Sequence, residues 1–155
     1  MCIITIDFYE EESFVEKILE FLVPIFNNIG YKVCGTRSDY NYTRVLMNKE
    51  CNNVSASKCP DYVVVREYAG IAEGCDSVLV ITREYTGENH RVIKVDEWDP
   101  VYLALLLSSM MGIPLDYVLS GIRDKRLEKM ALMVYSRALR IPIGVRVNRV
   151  CLEEF

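Results

Sequence analysis

Runs of apolar residues along the chain change period several times, and each change marks an element. Met1 to Phe8 is β-branched and apolar and predicts a strand. From Ser13 the apolar residues Phe14, Val15, Ile18, Leu19, Leu22, Ile25 and Phe26 recur at helical spacing until Gly30. Ser13 and Glu16 have the spacing of a capping box, and Pro24 is expected to kink the last turns. Tyr31 to Arg37 reads as a second strand. The polar stretch Ser38 to Pro60 reads as a loop or a short helix with loops.

Asp61 to Glu67 and Asp76 to Glu84 are two further strands, with only Tyr68 to Cys75 between them. A parallel crossover usually takes a dozen or more residues, so this spacing predicts antiparallel neighbours. Arg91 to Val95 is another strand, and Asp99-Pro100 supplies a cap with proline at the first helical position. Val101 to Met111 is a helix apolar nearly all round, which fits burial in the core or a subunit interface. Leu115 to Leu119 predicts a strand, about Arg123 to Arg140 a helix, and Gly144 to Val150 a last strand.

These elements make an α/β chain with a central mixed sheet flanked by helices, and the 155 residues fit one domain, 1–155. Val101 to Leu115 falls short of the ~20 residues that span a bilayer, so no membrane partner is expected. The start of the chain has no basic region and soon reaches Glu10, Glu11 and Glu12, which argues against a signal peptide and for a cytoplasmic location. The six cysteines form no CxxC and accompany a single histidine, His90, so they are expected to be mostly small buried thiols. The absence of glutamine beside eight asparagines hints at a thermophilic source.

The order helix, strand, strand, strand, extra strand, helix, strand from Ser13 to Leu119 resembles the core of the PD-(D/E)xK, or restriction-endonuclease-like, nuclease superfamily. Glu16, the Pro60-Asp61 pair and Thr82-Arg83-Glu84 stand where that family carries a helix glutamate, an aspartate opening a strand, and an acid-x-lysine tripeptide. Thr82 replaces the metal-binding acid and Glu84 the lysine. The resemblance therefore implies either a rearranged Mg²⁺ site of Glu16, Asp61 and Glu84, with Lys94 assisting, or a degenerate relative that only binds nucleic acid. Each residue also has a plainer reading: Glu16 as capping partner, Asp61 as strand opener, Glu84 as an edge charge.

Charge is unevenly spread. The net charge is -4, yet residues 123–149 hold 8 basic and only 2 acidic side chains. On the last helix Arg123, Arg126, Arg137 and Arg140 fall on one flank, opposite Leu127, Ala131, Val134, Tyr135 and Ala138. Such a stripe suits DNA or RNA phosphates, or is a solvated face paired with carboxylates of the acidic remainder. Two other readings stay open: a doubly wound domain binding a nucleotide or small ligand, which lacks a Gly-rich phosphate loop here, and a noncatalytic homodimer or other homo-oligomer.

Overall fold

The computed structural model describes residues 3–52, 59–68, 74–75, 77–87 and 91–138. Within them the order is β1 (Ile4–Tyr9), α1 (Glu12–Asn28), β2 (Lys32–Ser38), β3 (Thr43–Asn48), β4 (Tyr62–Glu67), β5 (Leu79–Glu84), β6 (Val92–Lys94), α2 (Pro100–Met110), α3 (Leu115–Leu119) and α4 (Lys125–Ala138). The six strands form one mixed sheet in the order β2-β3-β1-β4-β5-β6. β1 lies near its middle, antiparallel to β3 and parallel to β4, and β4, β5 and β6 continue in parallel.

Alternation along the strands divides the side chains between two faces. Ile4, Ile6 and Phe8, Val45 and Met47, Tyr62 and Val64, and Leu79 and Ile81 join the helices in the main core. α2 is enclosed there, with Leu103, Ala104, Leu105 and Leu107 wholly buried, which explains why its sequence is apolar all round. Its apolarity belongs to the domain's own core. α1 and α4 pack on either side of it, and Val15, Ile18 and Leu22 of α1 and Ala131 and Val134 of α4 are buried. The Tyr135 hydroxyl donates to the Ile113 carbonyl at 2.8 Å, fastening α4 to the segment after α2, and burial raises the pKa of this phenol. Burial, followed by the charge of Asp61, does the same for Tyr62.

The face away from the helices is narrower. Val63, Val65, Val78 and Val80 cluster there with Tyr9, Tyr68, Cys75 and Val92. Beside them Asp7 and Arg44, opposite each other on β1 and β3, form a two-pronged ion pair: Nε to Oδ1 at 2.7 Å and Nη2 to Oδ2 at 2.9 Å. Tyr42 lies under the Arg44 guanidinium and packs on Tyr9. The hydrogen bond to Asp7 is the chief reason the Arg44 pKa is raised further, while burial, then Asp7, raise that of Tyr9.

Asp99 caps α2 as its sequence predicts, its Oδ2 accepting from the amides of Val101 and Tyr102 at 3.1 Å, with Pro100 opening the first turn. Asp99→Ala is expected to cost about 1 kcal/mol, the usual worth of such a cap. A urea-denaturation midpoint equal to that of the wild type would show that the cap contributes nothing.

Five expectations are corrected. The capping box does not form: Ser13 lies inside α1, whose N-cap is Glu11, and the Glu11 carbonyl accepts from Phe14 and Val15. Residues 43–48, within the stretch read as loop or short helix, are strand β3, joined to β2 by a turn in which the Asp39 amide donates to the Tyr42 carbonyl at 2.7 Å. Residues 115–119 are a helical turn, because Pro114 starts them and only Val118 needs burial. β4 and β5 are parallel, not antiparallel, and Tyr68 and Cys75 between them pack on the second face.

Four cysteines pair instead of staying as thiols. Cys34 joins Cys51, and Cys59 joins Cys75, leaving no free cysteine among the described residues. Disulfides belong to oxidising compartments or to the intracellular proteins of hyperthermophiles. The last strand expected at 144–150 lies outside the described residues. Among the described residues no helix is long and apolar enough to cross a membrane.

Candidate nucleic-acid interface

The parallel register separates the residues expected to hold a metal. Asp61 precedes β4 at its amino end, where its Oδ2 accepts from the Thr5 amide at 2.8 Å while its own amide donates to the Thr5 carbonyl. Glu84 closes β5 at the carboxyl end, paired in register with Glu67. Six strand positions separate Asp61 from that level, about 20 Å at the usual rise per residue. Ligand oxygens around one Mg²⁺ must all lie at about 2.0–2.1 Å from the ion. Glu16 is exposed on α1, beside Val15, which is buried in the core.

Thr82, at the position of the family's metal-binding acid, is wholly buried, and its hydroxyl lies within hydrogen-bonding distance of the Arg66 carbonyl at 3.1 Å. It ties β5 to β4. The register thus sets Asp61 and Glu84, expected together, at opposite ends of β4 and β5. Among the described residues no three of His, Cys, Asp and Glu come together to hold a metal ion.

At the carboxyl ends of β1 and β4, the sequence reading missed a polar cluster. Glu10 accepts from the Trp98 indole N–H at 2.8 Å and pairs with the Arg66 Nε at 3.2 Å, and Phe14 stacks on Trp98. The signal lay in the chain's sole tryptophan standing next to the Asp99-Pro100 cap. Glu10, Glu11 and Glu12 occupy the turn from β1 into α1. In doubly wound domains that turn receives a phosphate, and three carboxylates there oppose one.

Positive charge collects at the other side of the molecule. Asp124 Oδ1 accepts from the Arg126 amide at 2.8 Å, starting α4. Met130, Ala131, Val134 and Tyr135 turn to the core, and Arg126 and Lys129 are exposed, with Arg123 and Lys125 exposed at the start of the helix. None of Arg123, Lys125, Arg126 and Lys129 has a carboxylate within ion-pair distance among the described residues. Leu132 and Met133 interrupt this face, 46% and 36% exposed. Arg140 lies outside the described residues.

Arg137 sits at the seam between α4 and α2, its Nη1 3.5 Å from the Tyr102 hydroxyl. That contact, then Glu97 and Asp96, raise its pKa, so it stays charged. Arg137 and Lys94 line the same cleft, of about 330 Å³, with Ile93, Val95, Asp96, Tyr102 and Leu106. Lys94 pairs in register with Thr82 and so stands two positions short of the Glu84 level. Two positions after Val92, the Lys94 side chain falls by alternation on the face away from the helices, whereas Arg137 lies on the helix side against Tyr102. No protein-family model matches the chain, and no curated protein matches it.

Proposed function

We propose that this α/β domain binds nucleic acid through the cationic face of α4, as a relative of the restriction-endonuclease-like proteins that retains binding without the family's Mg²⁺ chemistry. The observation that carries the reading is the exposure of Arg123, Lys125, Arg126 and Lys129 with no ion-pair partner among the described residues. A face whose charges were neutralised within the fold would have little left for phosphates. Unneutralised guanidinium and ammonium groups release counterions when they meet a polyanion, and guanidinium forks match phosphate oxygens in geometry. The nuclease-like ancestry is supported by the mixed sheet and by Pro60-Asp61 opening one of its inner strands.

The small-ligand reading gains one observation, the four parallel neighbours β1, β4, β5 and β6, since α/β sheets bind ligands at the carboxyl ends of such strands. The glutamates of the β1–α1 turn direct any anion away from β1 and toward the β6 side.

Fluorescence anisotropy with labelled single-stranded and duplex oligonucleotides over a salt series tests the proposal. Wild-type affinity should fall steeply with salt. Arg126→Glu with Lys129→Glu should weaken duplex binding at least about tenfold and reduce the slope of log K against log salt by about 2, one for each lost phosphate contact. No binding at low salt, or the same salt slope in the double variant, would reject the interface.

A further inference from the structure

Successive positions of α4 turn by about 100°, so Lys125, Lys129, Leu132 and Ser136 follow one line along the helix, with Arg126, Lys129 and Met133 on a second line beside it. All six side chains are exposed. The outer face of α4 is therefore cationic at its start and apolar one turn further on, where Leu132 is 46% and Met133 36% exposed. Met130, Ala131, Val134 and Tyr135 already pack on the core, so Leu132 and Met133 do not belong to the buried side of the helix. Glu128, the one carboxylate of α4, stands on the Leu132 edge, across the helix from Arg126.

A phosphate backbone satisfies the first part of this face and offers nothing to the second. The ligand that suits both brings an apolar surface within one helical turn, about 5.4 Å, of its phosphates. Nucleic acid carries that surface in the faces of its bases, which a duplex stacks inside and a single strand leaves open. In a duplex major groove, the apolar contact open to Leu132 and Met133 is the thymine methyl, and α4 has none of the Asn or Gln side chains that read adenine there. A lipid surface fits less well, because helices that lie on membranes bury a whole apolar face, and that of α4 is spent on the domain's core.

We propose that Leu132 and Met133 contact the faces of unpaired bases while Lys125, Arg126 and Lys129 hold the phosphates of the same strand, so that α4 selects single-stranded or gapped nucleic acid over intact duplex. This rests on the nucleic-acid reading of α4 given above and names the form of nucleic acid the face takes. Methionine sulfur makes favourable contacts with aromatic rings, and Leu or Met wedged between bases costs least where the bases are already unpaired.

Fluorescence anisotropy of the full chain with one labelled sequence provides the test, presented as single strand, as blunt duplex and as duplex with a gap, at one salt concentration. Single strand and gapped duplex should bind about tenfold more tightly than blunt duplex, the scale of one base stacked on a side chain. Leu132→Ser with Met133→Ser should bring the ratio of the two affinities close to one, while the salt slope, set by phosphate contacts, stays that of the wild type. Leu132→Met with Met133→Leu should keep the preference, separating loss of apolar surface from damage to the helix. Melting temperatures show that both variants are folded.

Equal wild-type affinity for strand and duplex, or a folded double-serine variant that keeps the preference, would overturn the inference. Steeply salt-dependent binding without the preference removes the base contact and leaves the α4 phosphate interface standing. Failure of every oligonucleotide removes both. Binding to phosphatidylserine vesicles that the double-serine variant loses, with no binding to oligonucleotides, assigns the face to a membrane surface instead.

Discussion

Asp7→Ala is expected to destabilise the protein by about 3–5 kcal/mol, the cost of stripping one partner from a buried ion pair. The Asp7 side chain is 3% exposed and that of Arg44 14%, so little solvent is available to the guanidinium left behind. Both oxygens of the carboxylate are engaged, and the pair joins β1 to β3 near the middle of the sheet. The loss is mainly that of an abandoned charge. Replacing both partners, Asp7→Leu with Arg44→Met, should therefore recover most of the stability. Chemical denaturation of the three proteins decides the matter: a double variant as unstable as Asp7→Ala would show that shape, and not charge, holds these strands together.

Loss of both disulfides is expected to have a still larger effect. Cys34–Cys51 and Cys59–Cys75 close sequence separations of 17 and 16 residues. On the chain-entropy view each such bridge contributes about 3 kcal/mol by narrowing the unfolded ensemble, so alanine at all four positions should remove roughly 6 kcal/mol. For a chain of this length that corresponds to a fall in Tm of roughly 12–24 °C. The Cys59–Cys75 bridge should matter most locally, because it joins the approach to β4 to the connector that packs on the second face. Thermal melts with and without dithiothreitol, with thiols counted by a chromogenic reagent, measure the effect. Four newly titratable thiols with an unchanged Tm would refute it.

Helical elements were readable wherever one side of the chain was buried and the other wet. α1 and α4 show that pattern, and α2 was found by its continuous apolarity and the Asp99-Pro100 start. β3 was hidden because Leu46 breaks the alternation of Val45 and Met47 with polar neighbours, and because asparagines crowd its flanks. The direction of β5 was unreadable for another reason: crossover length assumes a helix, and this connector is anchored to the sheet by Tyr68 and a disulfide. Cysteine spacing alone carries no distance, so neither bridge could be foreseen.

For the site, single-residue motifs misled where strand direction mattered. Asp61 and Glu84 look close once β4 and β5 are taken as antiparallel neighbours and stand at opposite ends once they are parallel. Lys94 and Arg137 lie 43 positions apart in the sequence, and no short motif links them. The cleft they border takes its residues from β6, α2 and α4, and alternation turns the Lys94 side chain to the other face of the sheet. Of the basic flank read on α4, Arg123 and Arg126 are exposed, while Arg137 meets Tyr102 at the seam with α2, a contact that helical spacing alone does not reveal.

The place of β1 in the sheet also governs how the protein can be made. It precedes the other strands of this sheet in the chain, yet its ladder partners begin at Thr43 and Tyr62. At about 5–20 residues per second, its parallel partner follows several seconds later. During that interval Ile4, Ile6 and Phe8 have only α1, β2 and β3 to shelter them. A nascent chain stalled before β4 should then be a chaperone substrate, and one released after α2 should not.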